Sequence, residues 1–402
     1  MVIQPKIRGF VCTTAHPKGC FRAVQEQVDY VKARGAFSGP KIVLVIGASA
    51  GYGLAGRIEA AFGGKAVTVG VSFERPADVG ANRTASAGWY NTAAFEQLAG
   101  QAGLVAKSIN GDAFSHAIKQ QTIDLLKSIG PVDLVIYSLA APRRINPDTG
   151  EVYNSVLKPI GKRFQSKTVD PLTGVIKEVE IEPATPAEIA ATQKVMGGED
   201  WALWIDQLQA AGLLAPKAVT VAFSYLGPKL THSIYKDGTI GAAKQHLHQT
   251  ARELDRRLSA AIGGRALISV NKALVTQASS AIPVVPLYIS LLYKVMKEQG
   301  THEGCIEQMV RLSQRLYGQG APILDSEGFI RLDDWEMDPK TQAAVMKLWG
   351  EVTPENLSQL ADLKGYQTDF YHLFGFSFPG IDYSADCDPE VMIPSIGDLI
   401  LR

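Results

Sequence analysis

The sequence predicts an α/β protein built on a doubly wound parallel sheet with helices on both faces, plus insertions and a C-terminal appendage. Three observations predict it. Strand-like and helix-like segments alternate through the first two thirds of the chain, a glycine-rich turn joins the strongest strand to a helix, and 402 residues exceed what one such sheet needs. Alternation of this kind favours parallel strands joined by right-handed crossovers.

The elements follow in order. Ile42–Ile46 (IVLVI) is a continuous β-branched run, the pattern of a strand covered on both faces. A helix is predicted over Tyr52–Phe62, directly after it. Ala66–Phe73 (AVTVGVSF) predicts a second strand and Leu104–Ile109 a weaker third, then Ala113–Ile129 a helix and Val132–Tyr137 a fourth strand. Pro142–Ile181 breaks the rhythm with Pro147, Pro159 and Pro171. Alternation at Val175–Ile181 makes it a surface excursion with a small hairpin. Thr185-Pro-Ala-Glu188 has capping-box spacing with proline at the first helical position, so a helix starts there. Strands over Ala218–Phe223 and Ala266–Val270 bracket a helix over Ile240–Ala261. Ala278–Met296 is an apolar stretch that reads either as core helix or as a substrate lid. Beyond about residue 320 the chain turns to charge and short amphipathic pieces, ending in the aromatic cluster Phe370–Phe378. Residues 1–320 are expected to form one body, with 321–402 an appendage packed on it.

Composition narrows the function. The 40 Lys+Arg balance 40 Asp+Glu, which argues against a nucleic-acid partner. The longest apolar stretch, Ala281 to Leu292, is broken by Pro283 and Pro286 and is too short to span a membrane. The N-terminus lacks the pattern of a secretory signal. Cys12, Cys20, Cys305 and Cys387 form no C-x-x-C pair, which suits free thiols and a reducing compartment. The expectation is a cytoplasmic globular protein with no membrane and no nucleic-acid partner.

The sharpest local signal is Gly47-Ala48-Ser49-Ala50-Gly51-Tyr52-Gly53, between strand and helix. Glycines let the backbone approach a diphosphate, whose charge meets the helix N-terminus, so the sheet is expected to be of Rossmann type. Glu74, after Phe73 at the end of the second strand, lies where an acidic residue bonds the adenosine ribose and repels a 2′-phosphate. NADH is therefore favoured over NADPH, although Arg75 could meet a phosphate if it turned inward. Asp112, after the third strand, and Ser138-Leu139-Ala140, after the fourth, are plausible ribose contacts.

Two Tyr–Lys pairings compete for the chemistry. Tyr225 and Lys229 have Y-x-x-x-K spacing, but Gly227 and Pro228 break the helix that this geometry needs. Tyr235 and Lys244 are separated by eight residues, and Gly238 and Gly241 between them can end a turn and start a helix carrying Lys244. An ammonium beside a phenol favours the phenolate and so tunes it toward proton transfer. No metal site is expected. His246 and His248 face different directions on a helix, and His302-Glu303 lacks a second histidine.

At these residues the chain resembles, nearly end to end, the long single-chain trans-2-enoyl reductases of the FabV type, which act on acyl-carrier-protein or coenzyme A thioesters. These look like enlarged relatives of the short-chain dehydrogenase/reductases. The matching strings are RGFVCTTAHPKGC, VLVIGASAGYG, SFERP, GWYN, SINGDAF, YSLAAPR, MGGEDW, THEGCIEQ and LFGFSFPG. The resemblance implies Tyr235 as proton donor, Lys244 as cofactor-contacting lysine and Tyr225 as a substrate contact. It implies cofactor contacts at Ala48 to Gly53, Phe73-Glu74, Asp112-Ala113, Leu139-Ala140 and Leu274-Val275-Thr276. The family's flavin-binding C-terminal segment finds no support, because residues 321–402 carry no recognisable nucleotide loop. NADH is the expected cofactor, with no flavin and no metal, and the expected partner is an enoyl thioester of acyl carrier protein or coenzyme A. A monomer is expected.

The same resemblance tips Ala278–Met296 toward an acyl channel. Basic residues Arg143, Arg144, Lys158, Lys162, Arg163 and Lys167 either meet an acidic carrier or form a solvated surface. Two other readings stay open: a short-chain-type carbonyl reductase, for which Ser224 is the only nearby serine, and a non-catalytic NAD(H)-binding redox sensor.

Overall fold

The computed structural model describes residues 1–9 and 11–396. Seven parallel strands form its central sheet. They are β1 (Ile42–Ile46), β2 (Val67–Ser72), β3 (Ala106–Asn110), β4 (Val132–Tyr137), β5 (Leu214–Ser224), β6 (Arg265–Val270) and β7 (Phe329–Arg331). Their spatial order is β7-β6-β5-β4-β1-β2-β3. The order reverses between β1 and β4, and such a switch point opens a crevice at the carboxyl ends of the strands. The chain thus has the doubly wound architecture that its alternation implied.

β1 shows why its sequence is apolar throughout. Val43 and Val45 enter the core on one face of the sheet, while Leu44 and Ile46 enter the core on the other. The first face carries α1 (Pro17–Arg34), α2 (Gly51–Ile58), α3 (Ala87–Gln101) and α9 (Cys305–Tyr317). The second carries α4 (His116–Ile129), α6 (Glu199–Ala210) and α7 (Thr239–Ile262), with Trp201 and Trp204 fully buried. Side chains alternate along a strand, so covering both faces removes the usual polar alternation.

Local signals act where expected. α5 (Pro186–Met196) begins with the capping box, Thr185 accepting from Glu188 N while the Glu188 side chain accepts from Thr185 N. α2 passes into a π-helical turn, Glu59–Gly63. The excursion carries two antiparallel hairpins, Arg143–Ile145 with Val152–Asn154 and Phe164–Val169 with Ile176–Ile181. β5 is longer than its apolar run because a bulge between Leu214 and Val219, with Lys217 at φ 63°, extends the pairing with β4.

A third core lies beside the sheet. α8 (Val285–Gln299) sits at its centre with Leu287, Tyr288, Leu291, Leu292 and Tyr293 fully buried. Around it pack the N-terminal segment, α10 (Pro339–Glu351) and α11 (Leu363–His372). Within 321–396, Phe329–Arg331 is strand β7 itself, pairing in parallel with β6.

Candidate active site

The strand ends open onto one cleft of about 1040 Å³. Every site residue singled out in the sequence lines it except Ala48 and Gly53. Those two support the turn from behind. A Cβ at Gly53 would lie 1.9 Å from the Gly47 carbonyl oxygen, and Gly47 sits at φ 86° with Ser138 O 2.2 Å from where its own Cβ would be. Side chains are excluded at both positions, so the turn can close. α2 starts with no side-chain cap at Ala50. Its first N–H groups are therefore open to an anion, and its positive dipole end points the same way.

The acidic residue is held firmly. Glu74 accepts from Ser49 Oγ at 2.6 Å and from Ser86 Oγ at 2.5 Å. Asn110 clamps its backbone, with Oδ1 accepting from Glu74 N at 2.7 Å and Nδ2 donating to Glu74 O at 2.8 Å. Asn91 donates to Ser49 O. Sequence reasoning did not assign Ser86, Asn91 or Asn110 a role. The strings GWYN and SINGDAF contained two of them as the visible signal. Phe73 stands 76% exposed at the mouth, an aromatic face left to solvent. Below the Asp112-Ala113 loop, buried Lys119 donates to the Ala113 and Phe114 carbonyls and pairs with Asp200 at 2.7 Å.

The two tyrosines differ in their hydroxyls. Tyr225, just past β5, and Tyr235 pack edge to face with centroids 5.1 Å apart. Tyr225 donates to Glu336 Oε1 at 3.1 Å. Tyr235 lines the cleft, and among the described residues its hydroxyl has no hydrogen-bond partner. Gly238 is the N-cap of α7, which carries Lys244 on the cleft side. Lys229 instead opens a short 3-10 turn on the surface, away from the cleft.

Lys244 Nζ donates to the Phe223 carbonyl at 2.9 Å and does not bond Tyr235. Burial lowers the Lys244 ammonium to about 8. Burial also pushes the Tyr235 phenol up, so the free chain holds a neutral phenol, not a phenolate in the making.

Glu336 was not foreseen. Fully buried, it accepts from the Tyr225 and Tyr288 hydroxyls on one oxygen and from Ala273 N at 2.8 Å on the other. Burial raises its carboxyl, while Lys272 and the bonds from Tyr288 and Ala273 pull the other way. Lys272 is itself buried, lowered to about 8, and lines the cleft.

Other expectations sort as follows. Of the apolar stretch 278–296, Ala278 and Tyr293 line the cleft, while α8 largely forms core. The basic excursion is mostly paired within the chain. Arg144 meets Glu199, Lys158 meets Glu188, Arg163 meets Glu180 and Glu182, and Lys167 donates to Trp349 O. Arg143 alone of the six lines the cleft. His246 Nδ1 accepts from Gly198 N, and His248 bonds Ser224 Oγ at 2.9 Å. Among the described residues no group of three or more His, Cys, Asp or Glu could hold a metal ion. No helix there is long and apolar enough to cross a membrane.

A tight glycine turn that excludes a Cβ at Gly47 and Gly53, an open helix N-terminus and a clamped carboxylate around one crevice define a dinucleotide-binding protein of Rossmann type. Comparison with known proteins gives the family. Residues 83–317 match the family model described as the trans-2-enoyl-CoA reductase catalytic region, and residues 2–79 match the NAD(P)H binding domain of trans-2-enoyl-CoA reductase. The chain belongs to the trans-2-enoyl-CoA reductase family. It is 60% identical over 400 residues, 98% of each chain, to the enoyl-[acyl-carrier-protein] reductase [NADH] of Coxiella burnetii (strain CbuG_Q212). The corresponding Flavobacterium johnsoniae protein is 58% identical, over 98% of this chain and 100% of that one. Among solved structures, Clostridium acetobutulicum trans-2-enoyl-CoA reductase in complex with NADH superposes with a TM-score of 0.94 at 45% identity, covering 97% and 98% of the two chains. The Treponema denticola trans-2-enoyl-CoA reductase in complex with NAD gives 0.92 at 50% identity, covering 96% and 98%.

Residues 324–387 match a model described as the enoyl reductase FAD binding domain. The described segment does not fit a flavin. It holds β7, α10, a single helical turn at Leu357–Leu360 and α11, with no strand–glycine turn–helix unit to take a diphosphate. Its aromatic end closes on itself, His372 stacking on Phe378 at 3.9 Å.

Proposed function

We propose that this chain reduces the trans-2 double bond of enoyl thioesters, carried on acyl carrier protein or coenzyme A, in the last step of the fatty acid elongation cycle. NADH, when bound, supplies the hydride for the β-carbon. The single observation behind this reading is the Tyr235 hydroxyl, unpartnered in the cleft beside Lys244 on a site with dinucleotide-binding architecture.

The residues divide the work. The Gly47–Gly53 turn and the α2 N-terminus hold the diphosphate. Glu74 takes the adenosine ribose hydroxyls through the lone pairs that Ser49 and Ser86 leave open, and Phe73 offers a face to the adenine. Asp112-Ala113, Leu139-Ala140 and Leu274-Val275-Thr276 border the rest of the cofactor. Lys244 holds the nicotinamide ribose. Tyr235 donates to the thioester oxygen as negative charge develops there, an arrangement that often supplies the largest catalytic effect. A phenol kept neutral by burial is suited to donating. No flavin and no metal enters this scheme, and the chain works as a monomer in the cytoplasm. Residues 1–320 supply the cofactor and substrate contacts, while residues 321–396 complete the same body through β7 and Glu336.

Loss of NADH absorbance with matched enoyl thioesters on both carriers tests the proposal. Turnover supports it and ranks the carriers. Turnover of ketoacyl thioesters alone would point to a carbonyl reductase. Tight NADH binding without turnover of any thioester would point to a sensor.

A further inference from the structure

We infer that Glu336, from the C-terminal segment, is a positioning residue: it takes up the Tyr225 O–H and so leaves Tyr235 as the phenol free to donate into the cleft. The inference rests on the enoyl reductase reading of the site.

The direction of each bond is fixed by chemistry. Ala273 N–H can only donate, and it does so to Glu336 Oε2 at 2.8 Å. The Tyr288 hydroxyl oxygen accepts from Gln342 Nε2, a group that can only donate, at 3.1 Å, so its own proton goes to Glu336 Oε1 at 2.7 Å. The carboxyl is therefore built to accept, and Tyr225, at 3.1 Å from the same Oε1, is its third donor. A phenol has one proton. With that proton directed at Glu336, Tyr225 presents the cleft with its ring and its oxygen lone pairs. A thioester oxygen needs a donor, and Tyr235 is the phenol that keeps one.

The placement is built into the sheet. Leu332 N and Asp333 N both donate to Val270 O at the end of β6, which pins the segment leading to Glu336. Three residues past the end of β6 the chain reaches Ala273, the residue before the Leu274–Thr276 loop. Gln342 also holds the Glu336 carbonyl at 2.7 Å. One carboxyl thus joins the substrate tyrosine, the cofactor loop and α8. Nothing of this is local in sequence, since Tyr225 and Glu336 lie 111 positions apart.

A double-mutant cycle on the full chain tests it, reading kcat for an enoyl thioester at saturating NADH. Glu336→Gln and Tyr225→Phe should each lower kcat about 10- to 100-fold, since a small misplacement near the reacting atoms can cost that much. The double variant should fall no more than about threefold below the worse single, because both act through one bond. A double-variant loss equal to the product of the two singles would overturn the inference, as would a Glu336→Gln kcat within about twofold of wild type. If Glu336→Gln does not fold, Glu336→Asp takes its place in the cycle. If neither folds, Tyr288→Phe removes the other donor on the same oxygen from a residue outside the cleft lining. Its effect should be non-multiplicative with Tyr225→Phe, and a multiplicative result sinks the inference. Failure of the enoyl reductase reading looks different, because wild type itself would then turn over no enoyl thioester.

Discussion

Tyr225 and Tyr235 meet edge to face, ring centroids 5.1 Å apart and planes at 76°, and each hydroxyl has a different fate. Tyr225 is bonded to a buried carboxylate, while Tyr235 is 8% exposed and opens on the cleft. Two chemically identical side chains in edge-to-face contact thereby have different hydrogen-bonding surroundings. Removing the Tyr235 hydroxyl should expose the difference. Tyr235→Phe is expected to lower kcat about 10²- to 10³-fold, the usual cost of losing a donor to a developing oxyanion. NADH affinity should stay within about twofold, since the lost interaction is made in the transition state. Steady-state kinetics beside a fluorescence titration of NADH measures both. A fully active Phe variant would remove Tyr235 from the mechanism.

Lys244 makes a prediction about pH. Its ammonium is lowered to about 8 by burial, so the charge is present below that pH and lost above it. If this charge holds the nicotinamide ribose, KM for NADH should rise as pH passes 8. In this range the unfolded chain still binds the proton that the folded lysine has released. The group's contribution to stability therefore increases with pH here, so the lost activity is not lost fold. Lys272 is also lowered to about 8, and a variant is needed to tell them apart. Lys244→Arg keeps its charge throughout and should abolish the alkaline limb. A limb that survives unchanged in Lys244→Arg assigns it elsewhere, Lys272 first.

Much of the fold, and most of the residues that line the cleft, are legible in the sequence. β1 announces itself because both its faces are covered and every position is apolar, and β2 because valine recurs at every second position. β7 does not, since three residues, Phe-Ile-Arg, carry no period and become a strand only by pairing with β6. The loops that line the cleft follow strand ends and are local. Glu336 is not, because only tertiary structure brings it to Tyr225 and Ala273. That Lys244 bonds a carbonyl and not Tyr235 directly could not be read either, for a related reason. Spacing places both side chains near the cleft, but the Phe223 carbonyl that captures the ammonium belongs to another element.

Cofactor preference should depend on Glu74. Both its oxygens are held by hydroxyls, and a 2′-phosphate beside it would meet a fixed negative charge. Arg75 is exposed next door. Glu74→Ala is expected to cut the NADH:NADPH ratio of kcat/KM about 10- to 100-fold, the equivalent of about 1.4–2.8 kcal/mol. Initial rates with both cofactors give the ratio directly. An unchanged ratio would mean that Glu74 serves the fold alone.

The Asp112-Ala113 loop, proposed to border the cofactor, rests on a buried ion pair, and that pair should be costly to break from one side. Lys119 is fully buried, bonds Asp200 at 2.7 Å and holds the Ala113 and Phe114 carbonyls, while Tyr137 donates to the other Asp200 oxygen at 3.1 Å. Burial lowers the lysine and raises the aspartate, each against the pull of its partner. Burial is the larger influence on each, so the pair is expected to add little net stability. Removing one member is another matter, because it strands a charge in the core. Lys119→Met should cost about 3–5 kcal/mol, and adding Asp200→Leu should recover much of that loss. NADH affinity should fall in both variants, since both leave the two loop carbonyls without their donor. Chemical denaturation and NADH titration separate the two effects. A double variant as unstable as Lys119→Met alone would show that the lysine acts by packing and carbonyl bonding, not by neutralising Asp200.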